Sequence, residues 1–238
     1  MQYLILGATS DVAISFAEQC PTGSKVILCA RNSSRLDSVA KHLKITKEIT
    51  AEIIEFDLLD NSGPGDILEA AKESDVVLVA WGILESSNTE KGKARLEIID
   101  ANFRNQIPII EEIADQFEKR GSGVIAGMSS VAGLRGRASN YLYGSAKAGM
   151  IAYLSGLRNR LTPSGVHVVT IIPGFMRTKM TAELNLPGPL TAEPKVAARI
   201  IHKAIQKKKN VAYVRPIWWL IMLIIRNIPE FIFKKLKL

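Results

Sequence analysis

The sequence predicts a Rossmann-type α/β fold, a doubly wound parallel sheet of about seven strands with helices on both faces. Two observations carry this. Short apolar runs rich in Val and Ile alternate with longer helix-like stretches, the pattern of strands buried on both faces beneath crossover helices. The first run, residues 3–6, ends at Gly7-Ala8-Thr9-Ser10-Asp11 ahead of a helical pattern. A strand, a glycine turn and a helix in that order point free N–H groups and a positive dipole end at the carboxyl edge of the sheet.

Each element follows from its pattern. Strands are expected at 3–6, 25–30, 53–56, 76–80, 123–126, 166–171 and 211–214. Helices are expected at 12–20, 34–42, 64–72, 91–119, 143–161 and 194–206. The 238 residues suffice for one catalytic domain, assigned to 1–215, followed by a tail at 216–238. The hydrophobic share of 47% excludes a disordered chain. Cys20 and Cys29 lie in or near apolar runs and read as small buried hydrophobes, without metal-ligand spacing. No basic, apolar leader precedes the first strand, so no secretory signal is read and a cytoplasmic location is expected.

In the first turn Gly7 permits close approach of a phosphate to backbone, and Thr9 and Ser10 offer hydroxyls. Asp11 and Ala13 stand where further glycines are usual. Asp11 reads equally as a cofactor contact or a helix cap. The second strand ends at Ala30-Arg31, with no acid to bind a ribose hydroxyl. Arg31 can pair with a 2′-phosphate, so NADP(H) is favoured over NAD(H), or it is a solvated surface arginine. Asp57 and Leu58 follow the third strand, where Asp57 either holds the adenine or caps a turn.

Tyr143-Gly144-Ser145-Ala146-Lys147 places a phenol and an ammonium one helical turn apart. An ammonium beside a phenol favours the phenolate and lowers its pKa, which suits proton exchange with a carbonyl oxygen. Ser130 stands thirteen residues before Tyr143, after an apolar strand. Ser129 and Tyr141 are neighbours with the wrong spacing.

Over residues 1–214 the chain resembles the short-chain dehydrogenases/reductases, through the Gly7 loop, Asp57, Asn102, Ser130, Tyr143, Lys147 and Pro173-Gly174-Phe175-Met176-Arg177-Thr178. The resemblance implies a ketone–alcohol oxidoreductase that uses a nicotinamide cofactor. Tyr143 would be the acid/base, Lys147 its electrostatic partner and a ribose ligand, and Ser130 the stabiliser of the substrate oxygen. Asn102 would hold a water in a proton relay. Pro173, Gly174 and Thr178 would meet the nicotinamide end, and Gly82 would lie along the cofactor, although Trp81 stands where an asparagine-rich turn is usual. A homodimer or homotetramer through the helices carrying Asn102 and Tyr143 is also implied.

The tail departs from that pattern. From Lys203 onward there are nine basic residues and one acid, so the remainder of the chain is neutral overall. Residues 217–225 form a continuous apolar block, too short for the roughly 20 residues of a spanning helix. Tryptophans, an apolar block and terminal lysines suit a helix lying on an anionic membrane surface, with burial in a core or a subunit contact as the alternative. The tail, the Gly-Ala-Thr-Ser-Asp loop and Ser130-Val131-Ala132-Gly133 resemble the subgroup that reduces decaprenylphosphoryl-2-keto-β-D-erythro-pentose, implying a lipid-linked 2-keto sugar substrate and a role in cell-envelope biosynthesis. A 3-oxoacyl or steroid-like ketone, or a non-catalytic NADP-binding membrane scaffold, are the competing readings. Lys207-Lys208-Lys209 has no nucleic-acid motif around it, and no nucleic-acid partner is expected.

Overall fold

A computed structural model describes residues 1–238 except 33, 61–62, 85–92, 183 and 237–238. The strands are β1 (Gln2–Leu6), β2 (Lys25–Ala30), β3 (Thr50–Glu55), β4 (Val76–Val79), β5 (Val124–Met128), β6 (His167–Ile172), β7 (Phe175–Met176), β8 (Thr191–Ala192) and β9 (Val211–Tyr213). The helices are α1 (Asp11–Ala17), α2 (Ser34–Lys47), α3 (Gly65–Lys72), α4 (Lys93–Ile99), α5 (Gln106–Arg120), α6 (Tyr141–Leu161), α7 (Pro194–Gln206), α8 (Ile217–Asn227) and α9 (Glu230–Phe233).

Seven strands form one sheet in the order β3-β2-β1-β4-β5-β6-β9, and every pairing in it is parallel. The apolar runs are continuous because alternate residues serve opposite faces. Tyr3 and Ile5 join Phe16, Leu36, Leu43 and Ile201 on the face covered by α1, α2 and α7. Leu4 and Leu6 join Ile113, Phe117, Met150 and Leu154 on the face covered by α5 and α6. The order reverses between β1 and β4, which opens a crevice at the carboxyl edge of the sheet.

Besides shifted helix ends, such as α2 running to Lys47 rather than 42, three differences from the sequence reading bear on the sheet and the site. β3 begins at Thr50 rather than 53, because it is an edge strand whose Thr50, Glu52 and Glu55 are exposed and break the apolar pattern. The single helix expected at 91–119 is divided: α4 leads into a π-helical turn (Asp100–Arg104) before α5. Asn105 N–H donates to the Asp100 carbonyl at 3.0 Å, the wide-turn bond that marks it. Pro108, inside the first turn of α5, has no N–H to return to the Arg104 carbonyl, so the regular bonding pattern is interrupted at the π-helical turn. Residues 91 and 92, where that helix was expected to start, lie outside the described residues. The third difference is the pair β7 and β8, too short to leave a period in the sequence.

The tail folds back onto the body. Trp218 and Met222 of α8, one turn apart, are buried with Val131 and Ile172. Gly174 makes this contact possible: a Cβ there would stand 1.9 Å from Trp218 Nε1. The indole N–H donates to the Leu190 carbonyl at 3.0 Å. Arg135 fastens the far end, donating to the carbonyls of Arg226 (3.0 Å) and Ile228 (3.2 Å) and to Glu230 Oε2 (2.7 Å). Its guanidinium also stands over the Phe233 ring, 4.2 Å from the centroid.

Candidate active site

A cavity of about 370 Å³ runs along the carboxyl edge of the sheet. At one end the β1–α1 turn is held tightly. Gly7 has φ +83°, and a Cβ would come within 2.7–2.9 Å of the backbone of Ala80 and Trp81, so only glycine fits. Gly7 and Ala8 N–H groups both donate to the Cys29 carbonyl. Thr9, Ser10 and Asp11 line the cavity here. Ser10 is the N-cap of α1, and its side chain makes no capping bond. Asp11 does not cap: it is the first helical residue, and its carboxylate accepts the Lys179 N–H at 2.7 Å. It thereby ties residues 178–181 across the glycine turn.

Arg31 lines the same end, as does Arg35 in the first turn of α2, which the sequence reading missed. Arg31 precedes α2 and Arg35 lies in its first turn, so helical spacing does not link the pair in the sequence. Asp57 and Leu58 line the cavity too, and Asp57 also closes a turn, accepting the Leu59 N–H at 3.0 Å. Trp81 turns its ring inward against Phe56, with ring centroids 6.1 Å apart. The bulky residue after β4 therefore packs its ring into the core, and both it and Gly82 border the cavity.

The other end gathers Ser130, Tyr143 and Lys147. β5 delivers Ser130 to the N-cap of the turn Val131–Leu134, where its Oγ accepts the Ala132 N–H at 3.1 Å. Ser129 faces away: its hydroxyl donates to the Lys147 carbonyl at 2.8 Å and steadies α6. Tyr141 is exposed, whereas Tyr143 lies in the cavity beside Ser130. Lys147 is buried; its Nζ donates to the Met128 carbonyl at 3.3 Å and stands 5.7 Å from the centre of the Tyr143 ring.

The expected lowering of the tyrosine pKa is not met in this arrangement. Burial pushes the Tyr143 phenol up to about 12, against the lowering pull of the neighbouring Ser130 hydroxyl. Burial also brings Lys147 down to about 8. Loss of water disfavours both charged forms, and the ammonium is aimed past the ring at a carbonyl.

Asn102 sits in the π-helical turn, fully buried. Its amide donates to the carbonyls of Ile83 (2.8 Å) and Ile98 (2.9 Å), while Oδ1 has no hydrogen-bond partner among the described residues. The open side of Gly82 looks onto Asn102 Oδ1 and Lys147 Nζ together. Pro173, Gly174 and Thr178 line the cavity beyond. Thr178 also forms a reciprocal cap with Thr181. Every residue the sequence singled out thus borders one cavity, and the reading omitted Arg35, Arg137 and Asn140 from its lining.

The arrangement fits a nicotinamide dinucleotide: a glycine cradle at a helix N-terminus at one end and an orphaned Asn102 oxygen beside a buried lysine at the other. Among the described residues no cluster of metal-ligating side chains occurs. Comparison with known proteins agrees. Residues 2–187 match the short chain dehydrogenase family. An uncharacterized oxidoreductase of Mycobacterium tuberculosis is 29% identical over 98% of this chain and 96% of its own length. In fold, the chain is similar to a short-chain dehydrogenase from Sphingobium yanoikuyae in complex with NADPH, with a TM-score of 0.82, 20% identity and 96% of each chain covered. The bulky-bulky ketone specific alcohol dehydrogenase from Comamonas testosteroni gives 0.80 at 19% identity, covering 96% of this chain and 95% of that one. With a matching family model over most of its length and that family's fold, the chain belongs to the short chain dehydrogenases and is an NAD(P)-dependent oxidoreductase acting on CH–OH groups.

Proposed function

We propose that the protein reduces the ketone of a 2-keto sugar carried on a polyprenyl phosphate, using NADPH, at an anionic membrane surface facing the cytoplasm. The observation that carries this reading is the tail. α8 is apolar on both sides: its inner face packs beside the catalytic turn, and Trp219, Leu220, Leu223 and Ile224 face outward, with Phe231 and Ile232 of α9 beyond them. A helix that is apolar all round belongs in a core or in lipid. Exposed Arg226, Lys234 and Lys235 supply the charge that anionic headgroups attract. No helix among the described residues is long and apolar enough to cross a membrane. A surface helix beside the cavity would let the enzyme meet a lipid-borne substrate without extracting it.

In this reading Ser130 and Tyr143 hold the substrate oxygen. NADPH, when bound, supplies the hydride to the carbonyl carbon. Tyr143 gives its proton to the oxygen, and the Lys147 ammonium offsets the charge left on the phenol. Asn102 Oδ1 would hold a water next to Lys147, and that water would return a proton to Tyr143. Gly7, Thr9, Ser10 and Asp11 would lie along the pyrophosphate, Arg31 and Arg35 at a 2′-phosphate, and Pro173, Gly174 and Thr178 at the nicotinamide. Assembly as a homodimer or tetramer through α4–α6 is expected from a mass measurement in solution.

The test is NADPH consumption with a short-chain lipid analogue of the 2-keto pentosyl phosphate, beside 3-oxoacyl and steroid ketones. Preference for the lipid-phosphate sugar is expected. Turnover of the other ketones alone would replace the substrate assignment.

A further inference from the structure

Two arginines stand on the short segment between Ser130 and α6, and they are used differently. Arg135 is saturated by two carbonyls, a carboxylate and an aromatic ring. Arg137 is not. Its Nε is buried with no hydrogen-bond partner, and among the described residues no carboxylate pairs with it. Among the described residues, the one bond its guanidinium makes is from Nη2 to Met222 Sδ, at 3.6 Å. A thioether is a weak acceptor and leaves the charge unanswered. Asn140, three residues on and joined to Arg137 by a backbone bond of 3.2 Å, has a buried Oδ1 that is likewise unpartnered. Both residues line the cavity that holds Ser130 and Tyr143.

An unpaired guanidinium under partial burial is costly, and nothing in the packing demands it. Burial presses its pKa downward, yet a guanidinium stays protonated throughout the working range of a protein. A charged group kept without an anion is the form of a site whose anion arrives with a ligand. The contact with Met222 of α8 sets Arg137 at the tail side of the cavity, whereas the glycine turn and the Arg31–Arg35 pair stand at the nucleotide end.

We infer that Arg137 forms an oxyanion subsite for the substrate, reading the phosphate next to the sugar through the guanidinium N–H groups that Met222 leaves free, while Asn140 Oδ1 beside it accepts a hydrogen bond from a sugar hydroxyl. This rests on the substrate reading above for the choice of phosphate, and on geometry alone for the oxyanion. Arg137 would set specificity by anchoring the substrate, and the tail, through Met222, would position the anchor.

The test uses the full chain loaded with NADPH, so that the nucleotide end is filled. Binding of geranyl phosphate, geranate and geraniol is measured by calorimetry for the native protein, Arg137→Met and Arg137→Lys. Geranyl phosphate is expected to bind the native protein, and Arg137→Met to bind it about ten-fold or more weakly. Arg137→Lys should fall between them, because it keeps the charge and loses the fork. Geraniol should show no such dependence. Arg137→Met should also bind NADPH normally and melt no lower than the native protein, since it removes an unpaired cation; an arginine with a structural role would give the opposite. If geranate alone depends on Arg137, the subsite stands and the phosphate-carrier substrate falls. If neither anion binds, or both bind Arg137→Met as well as the native protein, the subsite is overturned. Turnover of the keto-sugar phosphate that survives Arg137→Met with KM unchanged would likewise overturn it while leaving the substrate assignment in place.

Discussion

At the scale of single residues, burial governs the charge states of Tyr143 and Lys147. Lys147 has its folded-state pKa near 8, below its ordinary value of 10.5. Below about 8 it is charged in both folded and unfolded chains, and the folded chain carries the full cost of the buried ammonium. Between about 8 and 10.5 the unfolded chain binds more protons, so this residue makes stability rise with pH. Lys147→Met removes that cost. At pH 7 it should melt higher, by about 2–4 °C for each kcal/mol recovered, while losing most turnover. A lower melting temperature would contradict the account of burial. Ketone reduction needs Tyr143 protonated, which burial secures up to about 12, and Lys147 charged, which holds only to about 8. The reductive kcat should therefore be level below pH 8 and decline above it. A limb that persists unchanged in the residual activity of Lys147→Met would belong to another group. At the other end of the cavity, Arg31→Asp should lower the NADPH-over-NADH preference about ten-fold or more, because it replaces a phosphate ligand by a like charge. Unaltered kinetics with both cofactors would leave the arginine solvated.

At the scale of elements, the tail is coupled to the catalytic turn. Trp218 fills the space above Gly174, and Arg135 holds the chain at 226–230. Trp218→Ala removes a buried indole, a truncation that costs about 3–5 kcal/mol at a well-packed site. α8 should then become open to limited proteolysis near residue 216, and a cleavage rate like that of the native chain would argue against docking through this face. The outward face is tested separately. Deletion of residues 216–238 should abolish flotation with vesicles that contain anionic lipid, and retained flotation would remove the membrane from the account. The π-helical turn at Asp100–Arg104 is the other element with a function in view, since its wider turn carries Asn102 to the lysine side of the cavity.

At the scale of the whole molecule, the sheet was legible because buried parallel strands leave continuous apolar runs, and the crevice followed from the topology. The polar edge strand β3 was legible only in its second half. That Ser130, Tyr143 and Lys147 meet in one cavity was legible because they lie close in sequence on two connected elements. The direction of the tyrosine pKa was not, since spacing reports proximity and says nothing of lost water. Arg137 was also not legible: in sequence it resembles Arg135 two residues away, and only packing shows that one is saturated and the other is not. The tail's composition announced an unusual helix, but which side would face the body depended on the absence of a side chain at Gly174.

In the proposed reduction Tyr143 delivers the proton to the substrate oxygen, while Lys147 offsets the charge left behind and the other groups bind, orient and resupply the proton. Single-turnover oxidation of bound NADPH by the keto-sugar analogue, in the native protein and in Tyr143→Phe, tests this most directly. The account predicts NADPH binding unchanged in the variant and the rate lowered by about 10²–10⁴-fold, the contribution of a positioned acid. Oxidation at the native rate in Tyr143→Phe would contradict it and place the proton donor elsewhere.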